Sequence, residues 1–299
     1  MIGKRLISGT LLVLALGVAC YFLPAIGAWV LLLGISTVAL TEFYAMLRNV
    51  EIPSFRIFGL ICGTALIAAT FFSLTGGGHN AGSLLADGNL EDLAWLLIVL
   101  SVILRQFPQK DNPKPVMTIA CTLVGICYVP FLFNFFTKLA FAWESVGYGA
   151  RIGTTGRLLI FYLVVVVKAT DAGAFAVGKT LGRHKLFPRI SPSKTWEGLF
   201  GGLLAGMACS LGIFHQFYVG GGTAALGKVV FHLHDALILG VLLPVAGVMG
   251  DLAESLFKHA TGMKDSGHSI PGMGGLLDIL DSLLFGAPIF YYYVQFLMR

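Results

Sequence analysis

Nine apolar runs divide the chain, at roughly 7–24, 26–47, 57–75, 92–107, 116–137, 157–178, 198–219, 235–258 and 276–297. Most approach the ~20 residues that a helix rising about 1.5 Å per residue needs to cross about 30 Å of hydrocarbon. Inside that layer no water satisfies the backbone N–H and C=O groups, so an isolated segment can span it only as a helix. The chain is 57% hydrophobic and 12% charged, against about 25% charged residues in a soluble domain. So few charges cannot cover a water-facing surface for 299 residues. The expected fold class is all-α: a polytopic transmembrane helical protein of about nine spans. A polar cavity open to the cytoplasm is expected in its C-terminal half. Two regions are expected, 1–150 with about five spans and 151–299 with about four.

The loops orient the spans. Lys4 and Arg5 precede the first run, Arg48 and Arg56 flank the loop after the second, and Arg105, Lys110 and Lys114 follow the fourth. Lys179, Arg183, Lys185, Arg189 and Lys194 follow the sixth, and Lys258 and Lys264 the eighth. If the spans alternate, all of these lie on one side. The opposite loops are poor in cations; 76–91 has none, and Lys138 and Arg151 in 138–156 are the exception. The positive-inside rule puts the basic side in the cytoplasm, which predicts a cell (inner) membrane protein with its N-terminus inside. The net charge of +5 is a topology signal on this reading, and nucleic acid is not an expected partner. The first run resembles a signal peptide, and Val18-Ala19-Cys20 hints at lipoprotein cleavage, but a second run follows at once, so the first is read as a retained helix.

The cysteines Cys20, Cys62, Cys121, Cys127 and Cys209 all lie in apolar runs with no C-x-x-C spacing and are read as small buried hydrophobes. Gly76-Gly77-Gly78 and Gly220-Gly221-Gly222 are read as flexible outer loops, since neither carries a P-loop Lys-Ser/Thr. His232-x-His234 is read as a solvated loop without carboxylates nearby.

Polar chemistry begins in the sixth run. Lys168 and Asp171 are three apart and share a helix face. Ionisable groups in an apolar span are costly, so the two either pair with each other or face a polar cavity. The loop beyond holds Lys179 and then Ser191-Pro192-Ser193-Lys194-Thr195-Trp196-Glu197-Gly198. Backbone N–H groups, hydroxyls and ammonium charges are the groups that hold phosphate oxygens. Thr195 and Glu197 open the next helix, whose N-terminus also favours anions. The alternative is a positive-inside loop with no ligand.

The eighth run ends in Asp251, Glu254, Ser255 and Lys258, spaced to fall on one helix face. Lys264 and Asp265 follow in a glycine-rich loop, and Asp278 and Asp281 open the ninth run. Hard oxygen ligands without a thiolate or imidazole cluster suit Mg²⁺, which takes one or two carboxylates, waters and substrate phosphates. The alternative is an interhelical salt-bridge network.

Ser255-x-x-Lys258, Lys264-Asp265-x-Gly267, Ile270-Pro271, Gly274-Gly275, Asp278 and Asp281 closely resemble the signature of the phosphatidate cytidylyltransferases, or CDP-diacylglycerol synthases. The Ser191–Gly198 block resembles that family too, and Lys4-Arg5 and Glu42-Phe43-Tyr44 do so more weakly. The resemblance is strong over about 168–285 and collinear before it. It implies that CTP and phosphatidic acid give CDP-diacylglycerol and pyrophosphate, with Mg²⁺ as cofactor and membrane lipid around the chain. A homodimer is an assembly this reading allows. It implies catalytic roles for Asp251, Lys258, Lys264, Asp265, Asp278 and Asp281, with Asp251, Asp278 and Asp281 on the metal. Asp171, Lys179, Ser191, Lys194, Thr195, Glu197 and Ser255 are the expected substrate and phosphate contacts. The chain departs from the family pattern at three positions: His259 and Ile279 each stand where an arginine is usual, and Met273 where a histidine is. The rival readings are a CTP-dependent polyprenol or phytol kinase and an ion-coupled transporter. The crowding of charge at helix ends, away from mid-bilayer, argues against the transporter. A CDP-alcohol phosphotransferase is disfavoured, because its Asp-Gly…Ala-Arg…Asp pattern is absent from the sequence.

Overall fold

The structure, a computed structural model, describes residues 22–75, 89–144, 151–267, 269 and 274–297. Lys4, Arg5, most of the first apolar run with Cys20, the glycines at 76–78 and Ile270 to Met273 lie outside the described residues. The protein is mostly helical. Among the described residues seven helices are long and apolar enough to cross a membrane, which makes it a membrane protein. The chain divides into two units, Met1–Ile152 with Thr261–Asp278 and Gly153–Ala260 with Ile279–Arg299.

The first unit holds α1 (Ala25–Asn49), α2 (Arg56–Thr75), α3 (Asn89–Leu104) and α4 (Pro115–Phe141). At 16 residues, α3 is about 24 Å long and falls short of a ~30 Å layer if untilted. Pro115 occupies the first turn of α4, where its missing N–H costs nothing. Pro130 falls inside α4 and cannot donate to the ladder, and the helix widens there into a π-turn over Cys127–Phe131. The Pro130 ring packs where a Cβ at Gly63 of α2 would otherwise stand, so only glycine admits the bulge. Cys62, Leu66, Ile98, Val102 and Ile126 form the core between α2, α3 and α4. Tyr44 of α1 donates its hydroxyl hydrogen to the Thr122 carbonyl at 2.8 Å, tying α1 to α4. Lys138 lies 2.8 Å from Glu91 with both side chains mostly buried. Its charge is therefore spent on a partner, which explains a lysine on the side otherwise poor in cations.

The second unit is built on α5 (Thr154–Thr180), α6 (Trp196–Gln216), α7 (Leu233–Ala260) and most of α8 (Leu277–Leu297). Tyr162 of α5 stacks on Phe290 of α8 at 5.2 Å and shares a 2.6 Å hydrogen bond with Ser210 of α6. Two small antiparallel sheets add to the mostly helical fold. β1 (Lys185–Phe187) pairs with β2 (Ser191–Thr195), and β3 (Tyr218–Gly220), β4 (Thr223–Leu226) and β5 (Val229–His232) form a ribbon in that order. Strands of three to five residues are too short to show a period in the sequence. Gly220 to Gly222, read as a flexible loop, form the β3–β4 turn with positive φ at all three. The cysteine expectation also changes: Cys62 is buried, Cys121 and Cys209 are half-buried and Cys127 is exposed.

Candidate active site

The second unit gathers its ionisable side chains from four elements. Asp251, Glu254, Ser255 and Lys258 share one face of α7, Asp281 and Ser282 stand on α8, Lys168 and Asp171 on α5, and Lys194 on β2. Asp251, Glu254 and Asp281 each present a carboxylate oxygen within 4.8 Å of the others. Their approach depends on Gly250. A Cβ at that position would overlap the Asp281 carbonyl, so glycine lets α8 lie directly against the turn of α7 that carries Asp251.

Lysines surround the carboxylates. Lys194 Nζ lies 2.7 Å from Asp251 Oδ2 and donates to the Val248 carbonyl at 3.3 Å. Lys258 Nζ lies 2.6 Å from Glu254 Oε2. Lys168 Nζ has three acceptors, Asp171 Oδ2 at 3.0 Å, the Ile279 carbonyl at 2.8 Å and Ser282 Oγ at 3.0 Å. Ser282 in turn donates its hydroxyl to Asp171 at 3.1 Å and its backbone N–H to Asp281 at 2.5 Å. Lys168 and Asp171 are thus both a mutual pair and part of a wider network. Four carboxylates face three ammonium groups, which leaves one negative charge in surplus.

Burial grades across the cluster. Glu254 and Asp281 are buried, whereas the Asp171 and Asp251 side chains are 40% and 39% exposed. The acidic floor is closed and its rim is open. Lys194, at 17% exposure, sits behind Asp251 at that rim.

The remaining expected contacts fall elsewhere. Thr195 caps α6, accepting the Gly198 N–H at 3.1 Å. Glu197 pairs with His184 at 2.6 Å and accepts its backbone N–H, closing the β1–β2 hairpin. Ser191 is buried, with its Oγ 3.4 Å from that of Ser193. Lys179 is exposed and lies over the Phe175 ring. Ser255 Oγ sits 3.5 Å from Asp251 Oδ1.

Asp278, Asp265 and Lys264 belong to the first unit. Asp278 accepts backbone N–H bonds from Gly275 at 2.6 Å and from Ser266 at 3.1 Å, which ties both residues to the start of α8. Asp265 is half-buried, beside the Gly274 turn, and Lys264 is exposed. The same unit holds a residue to which the sequence reading gave no site role. Glu42 of α1 is buried, and its carboxylate accepts the N–H groups of Leu276 at 3.0 Å and Leu277 at 2.8 Å. Those N–H groups precede and open α8, so Glu42 supplies a long-range cap for that helix. An acid inside the second apolar run is the signal that could have found it. Glu254 is the other such residue. It stood in the polar stripe without a ligand role, yet it forms the buried centre of the carboxylate group.

The second unit is thus a helical membrane unit with convergent carboxylates set among three lysines. The cytidylyltransferase family pattern matches residues 3–297, and the chain belongs to that family. A Staphylococcus aureus protein named phosphatidate cytidylyltransferase is 34% identical over 273 residues, which covers 90% of this chain and 92% of that one. A Haemophilus influenzae protein of the same name is 38% identical over 143 residues, 48% of each chain. Escherichia coli YnbB, an uncharacterized protein, is 38% identical over 143 residues, 47% of this chain and 44% of that one.

Proposed function

We propose that this chain transfers CMP from CTP to phosphatidic acid, giving CDP-diacylglycerol and pyrophosphate. The carrying observation is the convergence of Asp251, Glu254 and Asp281 inside the ring of Lys168, Lys194 and Lys258. Two polyanions must meet in line, and each repels the other. A phosphate oxygen of phosphatidic acid forms the new bond to the α-phosphorus of CTP. The bond from that phosphorus to the α–β bridging oxygen breaks, and pyrophosphate leaves with the electron pair. The lipid carries its own nucleophile, so the protein needs only to position and neutralise.

The donor set fits Mg²⁺. The converging atoms are all carboxylate oxygens, with no thiolate or imidazole among them, and the charge surplus is negative. Asp251, Glu254 and Asp281 would hold the ion. When bound, it would neutralise phosphate charge and polarise the α-phosphoryl group. Lys194 and Lys258 exchange their carboxylate partners for phosphate oxygens as substrate enters. Lys168, held by three acceptors, keeps Asp171 and the Ile279–Ser282 turn in place. Phosphate roles for Lys179, Ser191 and Lys264, and a supporting role for Asp265, rest on the sequence pattern.

The loop charges support an inner-membrane protein whose basic loops and carboxylate cluster face the cytoplasm, so that soluble CTP and membrane lipid meet there. Nine spans follow if the run at 7–24 and α3 both cross. The chemistry is assigned to 151–299 and the remaining spans to 1–150.

The test is purified protein in lipid nanodiscs with α-labelled CTP and Mg²⁺. With phosphatidic acid, label enters CDP-diacylglycerol and pyrophosphate is released in equal amount. Release of labelled CDP with a polyprenol acceptor, and no labelled lipid from phosphatidic acid, assigns the chain to the kinases instead.

A further inference from the structure

We propose that His232, His234 and Asp235 form a binding site for a divalent transition-metal ion of the zinc class, at the end of α7 remote from the carboxylate cluster. The reading of His232-x-His234 as a solvated loop without a carboxylate is corrected by Asp235, the buried acid beside it. One oxygen of its carboxylate lies 3.3 Å from His232 Nδ1 and the other 3.4 Å from His234 Nε2. One ligand atom from each of the three residues lies within 4.8 Å of the others.

The two contacts go to different oxygens of the carboxylate, and neither closes to a charge-assisted hydrogen bond. Charge-assisted N–H···O bonds close to about 2.7–2.9 Å. Zinc ligands sit about 2.0–2.2 Å from the ion, and at tetrahedral angles neighbouring ligand atoms stand about 3.4 Å apart. The two imidazole rings lie nearly parallel, 5.2 Å between centroids and 20° apart, so neither blocks the other. The mixed nitrogen and oxygen set selects zinc-type ions over Mg²⁺.

The carboxylate is also held as metal-ligating groups are. Tyr293 of α8 donates its hydroxyl to Asp235 Oδ1 at 2.7 Å, and the His232 backbone N–H donates to Oδ2 at 2.8 Å. Such outer partners fix the orientation of a ligating carboxylate. The site joins the end of β5 to the first turn of α7 and, through Tyr293, to α8. Three protein ligands leave a fourth position for water. Asp235 and Asp251 are sixteen residues apart on one helix, about 24 Å along its axis, so this site is separate from the proposed reaction centre.

The test is zinc binding to the full chain in detergent, stripped with EDTA, dialysed, and titrated with zinc chloride in excess Mg²⁺ to keep the carboxylate cluster occupied. The expected result is one equivalent of zinc. H232A/H234A abolishes it, Tyr293→Phe weakens it about tenfold, and labelled CTP incorporation stays at the wild-type rate in H232A/H234A. Three results overturn the proposal: no binding by the wild type, binding retained in H232A/H234A, or zinc affinity that depends on the histidines yet is unchanged in both Asp235→Asn and Tyr293→Phe. The last is surface chelation by two histidines. Asp235 is buried, so Tyr293→Phe, which keeps the ring, guards against a folding defect in Asp235→Asn.

Discussion

Lys194 at the end of β2 reaches Asp251 on α7, with 2.7 Å between Nζ and Oδ2. Its side chain is mostly buried while that of Asp251 is 39% exposed, so the pair stands at the open rim of the acidic cluster. On the proposed reading this pair is exchanged for a phosphate oxygen of the substrate. Lys194→Ala is expected to lower kcat by about 100-fold, the scale of losing one preorganised charge contact to a transferring phosphoryl group. Lys194→Arg recovers part of it, because the charge remains and its geometry changes. Labelled CTP incorporation measures both. An alanine variant as fast as wild type removes Lys194 from the reaction.

Glu254 and Lys258 test whether the buried floor is chemical or only structural. Glu254 is fully buried and Lys258 lies 2.6 Å away. Glu254→Gln alone removes the carboxylate beside a mostly buried ammonium and costs about 3–5 kcal/mol. Adding Lys258→Met removes that penalty. The double variant is expected to recover thermal stability and remain inactive. If activity returns with stability, the pair serves only to hold the helices.

The helices and the polar stripe on α7 were legible for related reasons. Lipid allows no unpaired backbone, so each span declares itself as an apolar run, and charge inside such a run is costly enough to mark a site. The different surroundings of Asp278 and Asp281, both read as metal ligands, were not legible in that way. They are three residues apart on one helix, but Asp278 lies in the first turn, where the Ser266 and Gly275 backbone N–H groups take its carboxylate. Asp281, one turn later, accepts the Ser282 N–H and stands with Asp251 and Glu254. Glu42 was harder still, since its partners lie more than two hundred residues away in sequence. The zinc-type site was hidden by treating His232 and His234 apart from their neighbour Asp235.

Metal dependence is the third expectation. EDTA treatment is expected to abolish CMP transfer and Mg²⁺ to restore it. Asp281→Asn removes a charged oxygen from the floor and is expected to raise the Mg²⁺ concentration for half-maximal rate by at least about tenfold. The readout is rate against free Mg²⁺. A wild-type Mg²⁺ requirement in the variant would exclude Asp281 as a ligand.

Glu42 has a distinct signature. Its carboxylate accepts the Leu276 and Leu277 N–H groups, and loss of both bonds strands buried donors at about 1–3 kcal/mol each. Glu42→Ala is expected to lower the thermal midpoint by several degrees. Glu42→Gln retains a carbonyl acceptor and is expected to lose less. Equal stability in all three proteins would mean that the cap contributes nothing.

Two glycines one turn apart on α7 give the sharpest test of how closely α8 must approach. A Cβ at Gly250 would overlap the Asp281 carbonyl, a backbone atom that cannot rotate away. A Cβ at Gly247 would meet Val167 Cγ1 at 3.4 Å and Ser282 Cβ at 3.5 Å, which is ordinary contact. Both substitutions to alanine raise helix propensity equally, so propensity cancels between them. Gly250→Ala is expected to force the helices apart, costing about 1–3 kcal/mol. Because the backbone it displaces carries Asp281, it should also slow transfer by about 100-fold, as a 1 Å misplacement of reacting groups does. Gly247→Ala is expected to keep both stability and rate. If the two variants behave alike in thermal unfolding and in CTP incorporation, the spacing of α7 and α8 at Gly250 does not set the geometry of the carboxylates.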